Sequence, residues 1–393
     1  MKPIDWSDQT RDDVIRAYAI QPTNLDVTRY EMGGLVLSGS SISGTYYGDT
    51  RESGKIALSD ANGDRGWDRN SFVRLVHEVP SAGYKRELGT FLVSDDDGKV
   101  ENGQNKRTLT LQSGLYAIKN DPLQHWLTVK KGSSWISTIK QLLGDVSRPY
   151  VISARDKRCG ADVTYETGKS RLSVLKEICS AAGYRADVDS HGRVTIKDYR
   201  IPVSKENSFT LDMASQNGIV HDGVSYSSDW ISRPSVAVTN MKWTDQVDLG
   251  ERDEKGHKKN STRYSEIIEK AEVKSGYNAP NVRGYVIGVY QNLPDDQNRR
   301  TYAFAKQQAV ALLNSDQWED TEFQVTTQYL PIWEGDVGKL ILPDGVKVFD
   351  SKYGGVYEGS VRVLVKSIDL SLDSMQLKLT LKVVNAKDTE GSD

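Results

Sequence analysis

Apolar runs of strand length, broken at fairly even intervals by glycine- and aspartate-rich turns, dominate the first 120 residues. Residues 54–58, 71–76, 89–93 and 107–111 each carry four to six residues of strand character. Runs this short cannot bury a helix of ordinary length, but they suit strands that are buried on one face. Residues 62–68 and 95–98, rich in Asp and Gly, read as the hairpin turns between them. The pattern predicts a barrel or sandwich over residues 1–120, with a short helix at residues 7–18.

The pattern changes after about residue 121. Ser134 is placed to cap a helix whose apolar positions Trp135, Ile136, Ile139, Leu142 and Leu143 recur at helical spacing, with Gly144 at its end. The same design returns 36 residues further on, from Gly132 to Gly168, with Ser134 matched by Ser170, Ser137 by Ser173 and Lys140 by Lys176. In both copies a strand-like segment precedes the glycine, so two βα units are expected. A hairpin at residues 184–197 completes an α+β domain over 121–205. Residues 206–320 return to strand character, then carry a charged excursion at 248–262 that reads as an exposed loop. A helix follows, capped by Thr301, with Tyr302, Ala305, Ala309, Leu312 and Leu313 as its stripe. Four strand patterns then fill residues 321–393, the last, at 376–383, alternating with period two.

Composition narrows the function classes. The 393 residues carry 51 Lys+Arg against 54 Asp+Glu, a net charge of -3, which gives no general attraction for nucleic acid. No apolar run is long enough to span a membrane. The first twenty residues, with Asp5, Asp8, Asp12 and Asp13, lack the apolar segment of a signal peptide. Cys159 and Cys179 have no CxxC spacing and read as core thiols.

The chemical motifs are incomplete. Gly168-Lys169-Ser170 ends like a phosphate loop, but Val163 stands where its first glycine belongs and Glu166 would face the phosphates. Asp95, Asp97 and Gly98 lack the later oxygen ligands of a calcium loop, and the five histidines form neither HxH nor HExxH. No GxSxG elbow occurs. The expectation is therefore no catalytic residue, no cofactor and no metal.

The order of several motifs carries a resemblance. These are residues 67–74 (WDRNSFVR) with 87–93 (ELGTFLV), residues 164–170 (TYETGKS) through 181–184 and 192–196, and Gly335-Asp336-Val337-Gly338 before the last strands. In these the chain resembles the baseplate hub or tail-tip hub proteins of tailed bacteriophages. That resemblance implies a mainly β fold with an α+β insertion, in which two tail-tube-like β-barrel domains are joined by smaller α+β domains. It also implies a structural virion protein of the tail: a homotrimeric ring capping the tube and adapting sixfold to threefold symmetry. Its implied partners are a distal-tail or tail-tube protein, a tape-measure protein, and a tip, spike or receptor-binding protein, with DNA passing through unbound. Aromatic residues flanked by charge, Trp67, Tyr84, Trp230, Trp243 and Trp333, are the candidate subunit contacts. Two rival readings are a carbohydrate-binding or adhesion module, which needs an exposed aromatic platform, and a peptidoglycan-degrading tail component, which needs two carboxylates in a cleft.

Overall fold

The computed structural model describes residues 4–6, 10–32, 35–60, 72–101, 104–144, 149–160, 162–200, 202–213, 215, 220–227, 234–252, 258–274, 279–293, 300–313, 321–349 and 356–384. The chain divides into two compact units. One comprises Met1–Ser225, Phe323–Asp344 and Gly359–Lys382, and the other Tyr226–Glu322, Gly345–Glu358 and Val383–Asp393.

The first unit is organised by a 13-stranded sheet. From one end its order is Asn24–Glu31, Val14–Gln21, Phe72–Val79, Tyr84–Glu101, Gln104–Gln112, Glu52–Asp60, Leu35–Thr45, Ser360–Ser371, Gln376–Val383, Glu322–Gln328 and Val220–Ser227. Val337–Ile341 pairs with Ser360–Ser371 off this path, and Phe209–Asp212 runs parallel to it. Period-two sequence becomes period-two burial: Leu377, Leu379 and Leu381 of the strand at 376–383 are buried while Lys378 is exposed.

The two closed barrels expected from the sequence are not present. The described strands form an open path whose terminal strands, Asn24–Glu31 and Val220–Ser227, do not pair with each other. The early and late β regions are instead halves of one sheet, joined by Ser360–Ser371. Its first part pairs with Val337–Ile341 and its last part with residues 41–45. Alternation specifies which face of a strand is buried, but not which strand lies at its edge, so it could not distinguish closure from this long-range splice.

Three local expectations also change. Residues 14–21 form a strand rather than part of a helix, because Ile15, Ala17 and Ala19 alternate inward between two neighbouring strands. Asp95–Gly98 is not a turn but part of the strand Tyr84–Glu101, where a bulge follows Val93 and Arg107 Nε donates across the ladder to Asp96 Oδ1 at 3.0 Å. Residues 62–68 lie outside the described residues.

Within the same unit the repeated segments are related by an internal pseudo-twofold. Strands Leu127–Val129 and Val163–Tyr165 are equivalents that pair with each other antiparallel, with Thr128 opposite Thr164 and their hydroxyls 3.2 Å apart. The loops reciprocate. Leu123 N donates to Lys169 O and Cys159 N to Ser133 O, both at 2.9 Å; Gly168 N donates to Leu123 O and Gly132 N to Cys159 O, both at 2.8 Å. Each copy thus supplies the hydrogen bonds that the other copy's turn needs. Helices Trp135–Gly144 and Arg171–Ala182 pack over one core that includes Ile139, Leu142, Leu143, Leu175, Ile178 and the free thiols of Cys159 and Cys179. The two caps differ. Ser134 Oγ accepts from Ser137 N at 3.0 Å, whereas Ser170 Oγ donates to Lys119 O at 2.7 Å. A hairpin of Tyr184–Val188 and Val194–Asp198 follows, with Tyr150–Ile152 parallel to its second strand.

The second unit is built on a long hairpin, Val236–Arg252 with Lys258–Glu272, beside which Gly288–Leu293 runs parallel. Part of the charged segment 248–262 is therefore strand rather than loop: Asp248 pairs with Asn260 and Arg252 with Lys258. Backbone ladder bonds need no apolar side chains, so a polar sequence can extend a hairpin. Helix Tyr302–Leu313 lies on this sheet, its Phe304 N–H donating to Thr301 Oγ1 at 3.1 Å. Ala305, Ala309 and Leu313 are buried against Ala237, Met241, Ile267 and Ala271, the small alanines permitting close approach. Tyr302 departs from the expected stripe and is 65% exposed.

The pseudo-twofold makes Ile139 and Leu175 equivalent core positions, both fully buried. Ile139→Ala and Leu175→Ala should each destabilise the protein by about 2–5 kcal/mol, and by similar amounts, as read from urea unfolding midpoints.

Candidate assembly surfaces and a buried carboxyl pair

Glu52 opens the strand Glu52–Asp60, directly opposite Gly44, and is only 8% exposed. The Trp333 indole covers it, donating from Nε1 to Glu52 Oε1 at 2.7 Å. The next residue, Glu334, lies so close to the same backbone that a methyl group on Gly44 would stand 2.6 Å from its Oε2. Burial pushes both carboxyls above the usual carboxylate range. Glu334 is raised further by the Glu52 carboxyl, and Glu52 by Asp187 after the indole has partly offset its burial. Of two carboxyls that cannot both ionise cheaply, one, here Glu334, holds its proton to a higher pH than it would alone.

Cations and an aromatic ring complete this cluster. The buried Tyr46 ring carries the Arg185 guanidinium 3.6 Å from its centroid, with Lys205 Nζ at 5.3 Å and Arg51 at 5.8 Å. Arg185 Nε is in turn 2.9 Å from Asp187 Oδ2. Lys205 Nζ donates to Gly335 O at 2.7 Å. Gly335 adopts φ +86°, and a Cβ there would lie 2.7 Å from the Tyr46 ring; one on Gly338 would lie 2.5 Å from Phe209. The glycines of residues 335–338 thus let a turn and a strand pass flush against two aromatic rings.

The candidate contact residues fall into different settings. Tyr84 is half-buried in an aromatic cluster, 5.2 Å from Trp6 and 5.6 Å from His77. His77 also meets Tyr329 at 4.5 Å and Asp13 Oδ1 at 2.7 Å. Trp333 is half-buried, bonded to Glu52, with the Arg86 guanidinium 5.8 Å from its ring. Trp243 lies in the second unit, where its Nε1 donates to Asp245 Oδ2 at 2.8 Å and Arg300 stacks 4.9 Å from its ring. It also borders an open cavity of about 710 Å³, with Lys242, Glu266 and the 81% exposed Tyr264. Trp67 and Trp230 lie outside the described residues. Sequence reasoning missed Glu52 and Glu334, since carboxylates are abundant and nothing local marks burial. The nearest signal was the glycine motif that follows Glu334.

Other motifs resolve structurally. Lys169 Nζ pairs with Glu177 Oε1 at 2.7 Å, and the amide of Gly168 is engaged by Leu123 O. Among the described residues no group of three or more His, Cys, Asp or Glu side chains is arranged to hold a metal ion, and no helix is long and apolar enough to cross a membrane.

No protein-family model matches the chain, and no curated protein matches it by sequence. Solved structures match it through the fold. The 43 kDa tail protein of the MuSo2 prophage from Shewanella oneidensis superposes with a TM-score of 0.63 at 10% identity, covering 96% of this chain and 99% of its own. A tail protein from Neisseria meningitidis gives 0.60 at 12% identity, covering 95% and 97%. A prophage tail protein from Listeria monocytogenes gives 0.53 at 12% identity, covering 95% of each chain. The chain shares its fold with these proteins over nearly their full lengths.

The carboxyl pair sets a pH dependence. Because both folded-state values lie above the ordinary carboxylate range, the folded protein holds protons that the unfolded chain releases. Their stabilising contribution is fully present below the ordinary carboxylate range and is lost progressively as pH rises from there through about 7 and on to about 9. Glu334→Gln, which keeps the shape and removes one ionisation, should flatten this decline and leave the variant more stable than the parent at about pH 9. Urea unfolding midpoints measured across that window check it.

Proposed function

We propose that the chain is a structural subunit of a phage-type tail that acts by assembly and not as an enzyme. The observation that carries this reading is the correspondence of fold, end to end on both chains, with proteins described as prophage tail proteins. A domain borrowed into an unrelated protein would match over part of a chain, whereas here the β sheet and the α+β insertion are matched together.

In finer detail, three copies form a ring at the end of a tail tube, adapting a sixfold tube to a threefold tip. Distal-tail or tube protein contacts one side, and a tip, spike or receptor-binding protein the other. The channel passes tape-measure protein and then DNA. A net charge of -3 supports passage without retention, since a strongly basic lining would hold phosphate through counterion release. With the large sheet open, subunits meet through sheet edges rather than through closed barrels. The terminal strand Asn24–Glu31, whose side chains are mostly exposed, is one such edge. The Trp243 surface, with Tyr264 beside it, is the described candidate aromatic contact that faces an open cavity. Peptidoglycan cleavage is less well supported, because neither the cavity beside Trp243 nor the one beside Trp126 is lined, among the described residues, by a pair of carboxylates.

Native mass measurement and particle imaging of the purified protein test the ring. The expected result is a closed assembly of three copies. A monomer that persists at high concentration, alone and with its tail partners, overturns the reading.

A further inference from the structure

The α+β duplication offers an internal control on which residues its fold requires. At the 36-residue offset, Gln124, His125 and Trp126 of the first copy correspond to Gly160, Ala161 and Asp162 of the second, and Arg171 corresponds to Trp135. The two copies build the same strand, turn and helix with reciprocal hydrogen bonds. The fold therefore does not demand the Gln-His-Trp run. In the second copy Asp162 ties the loop down, accepting from Lys131 N at 2.7 Å and Lys130 Nζ at 2.9 Å. In the first copy the same position carries a tryptophan that is 67% exposed. Leaving that much indole in water forgoes a substantial burial gain, which marks the residue as available to a ligand.

The difference between the copies coincides with a cavity of about 370 Å³, lined by Gln124, His125, Trp126, Gln141, Leu142 and Arg171 among others. Beside the other loop the equivalent wall is the buried indole of Trp135 of the first copy, whereas here it is the buried Arg171 of the second, its charge matched by Asp121 Oδ2 at 3.3 Å from Nε. The volume falls at the lower end of small-ligand sites, roughly 300–1,000 Å³, too small for a helix or a folded partner. Among the described residues no carboxylate lines it, and the Arg171 guanidinium is paired with Asp121, so the described lining offers little to a net charge. What remains is a flat aromatic face beside side-chain amides and an imidazole. That combination suits a neutral molecule with one apolar face and a rim of hydroxyls.

We propose that this cavity binds a neutral pyranose saccharide, stacked on the Trp126 indole and hydrogen-bonded through its hydroxyls to Gln124, His125 and Gln141. The site would give a structural tail subunit a weak contact with surface glycan, with avidity supplied by several copies in an assembly.

The test is calorimetric titration of the full-length protein with the trisaccharide of N-acetylglucosamine and, separately, with cellotriose. The expected result is saturable binding of at least one of them with Kd of about 0.1–1 mM, weakened at least about tenfold by Trp126→Ala and more modestly by Gln141→Ala. Both side chains are exposed, so both variants should keep the parent's unfolding midpoint and assembled mass. No saturable binding of either sugar up to about 10 mM, or equal affinity in Trp126→Ala, overturns the proposal. Loss of a tail partner in Trp126→Ala, with no sugar bound by the parent, overturns it in favour of a protein contact. Assembled mass and sugar titration are independent readouts, so failure of the ring and failure of the glycan site are distinguishable.

Discussion

The ladder between residues 41–45 and 367–371 is the constraint on which the first unit depends. Leu370 faces Ile42 and Ile368 faces Gly44 in register, with both isoleucines and the leucine buried. This short pairing joins segments more than 300 residues apart in sequence into one sheet. It also brings the late turn at Glu334 beside the early strand that begins at Glu52. The buried carboxyl pair, the Trp333 lid and the stack of cations on Tyr46 all depend on that register. A slip of one residue would turn Ile368 and Leu370 outward.

The cluster has the features of a joint rather than a reactive centre. Its carboxyls are buried, one is capped by an indole, and its cations are engaged with a tyrosine ring and a backbone carbonyl. Replacing such a network with apolar groups often leaves stability unchanged or improved, so its presence points toward specificity of register more than toward strength.

Much of the architecture was legible in the sequence. The late strands, the helix capped by Thr301 and the 36-residue repeat were all readable, because period-two and period-3.6 patterns and capping residues act over a few neighbours. The repeat proved more informative than its spacing suggested: the copies embrace each other, and their differences isolate Trp126 as a residue that the fold does not need. Local patterns misassigned residues 14–18, 95–98 and the described parts of 248–262 for a common reason. In each, a partner strand supplies hydrogen bonds or ion pairs to a segment whose own composition suggests helix, turn or loop.

By itself the sequence determined the late strands, the helix capped by Thr301 and the 36-residue repeat, and that no complete catalytic or metal motif is written along the chain. Only the tertiary structure decided that the two β regions are one open sheet and not two barrels, and that Glu52 and Glu334 share a buried site. It also decided that Tyr84 and Trp333 pack in inner clusters while Trp126 stands in solvent beside a cavity. The physical reason is the range of the forces involved. Propensity, capping and alternation are set by neighbours in sequence, whereas sheet closure, carboxyl protonation and aromatic exposure depend on which distant segments the register brings together.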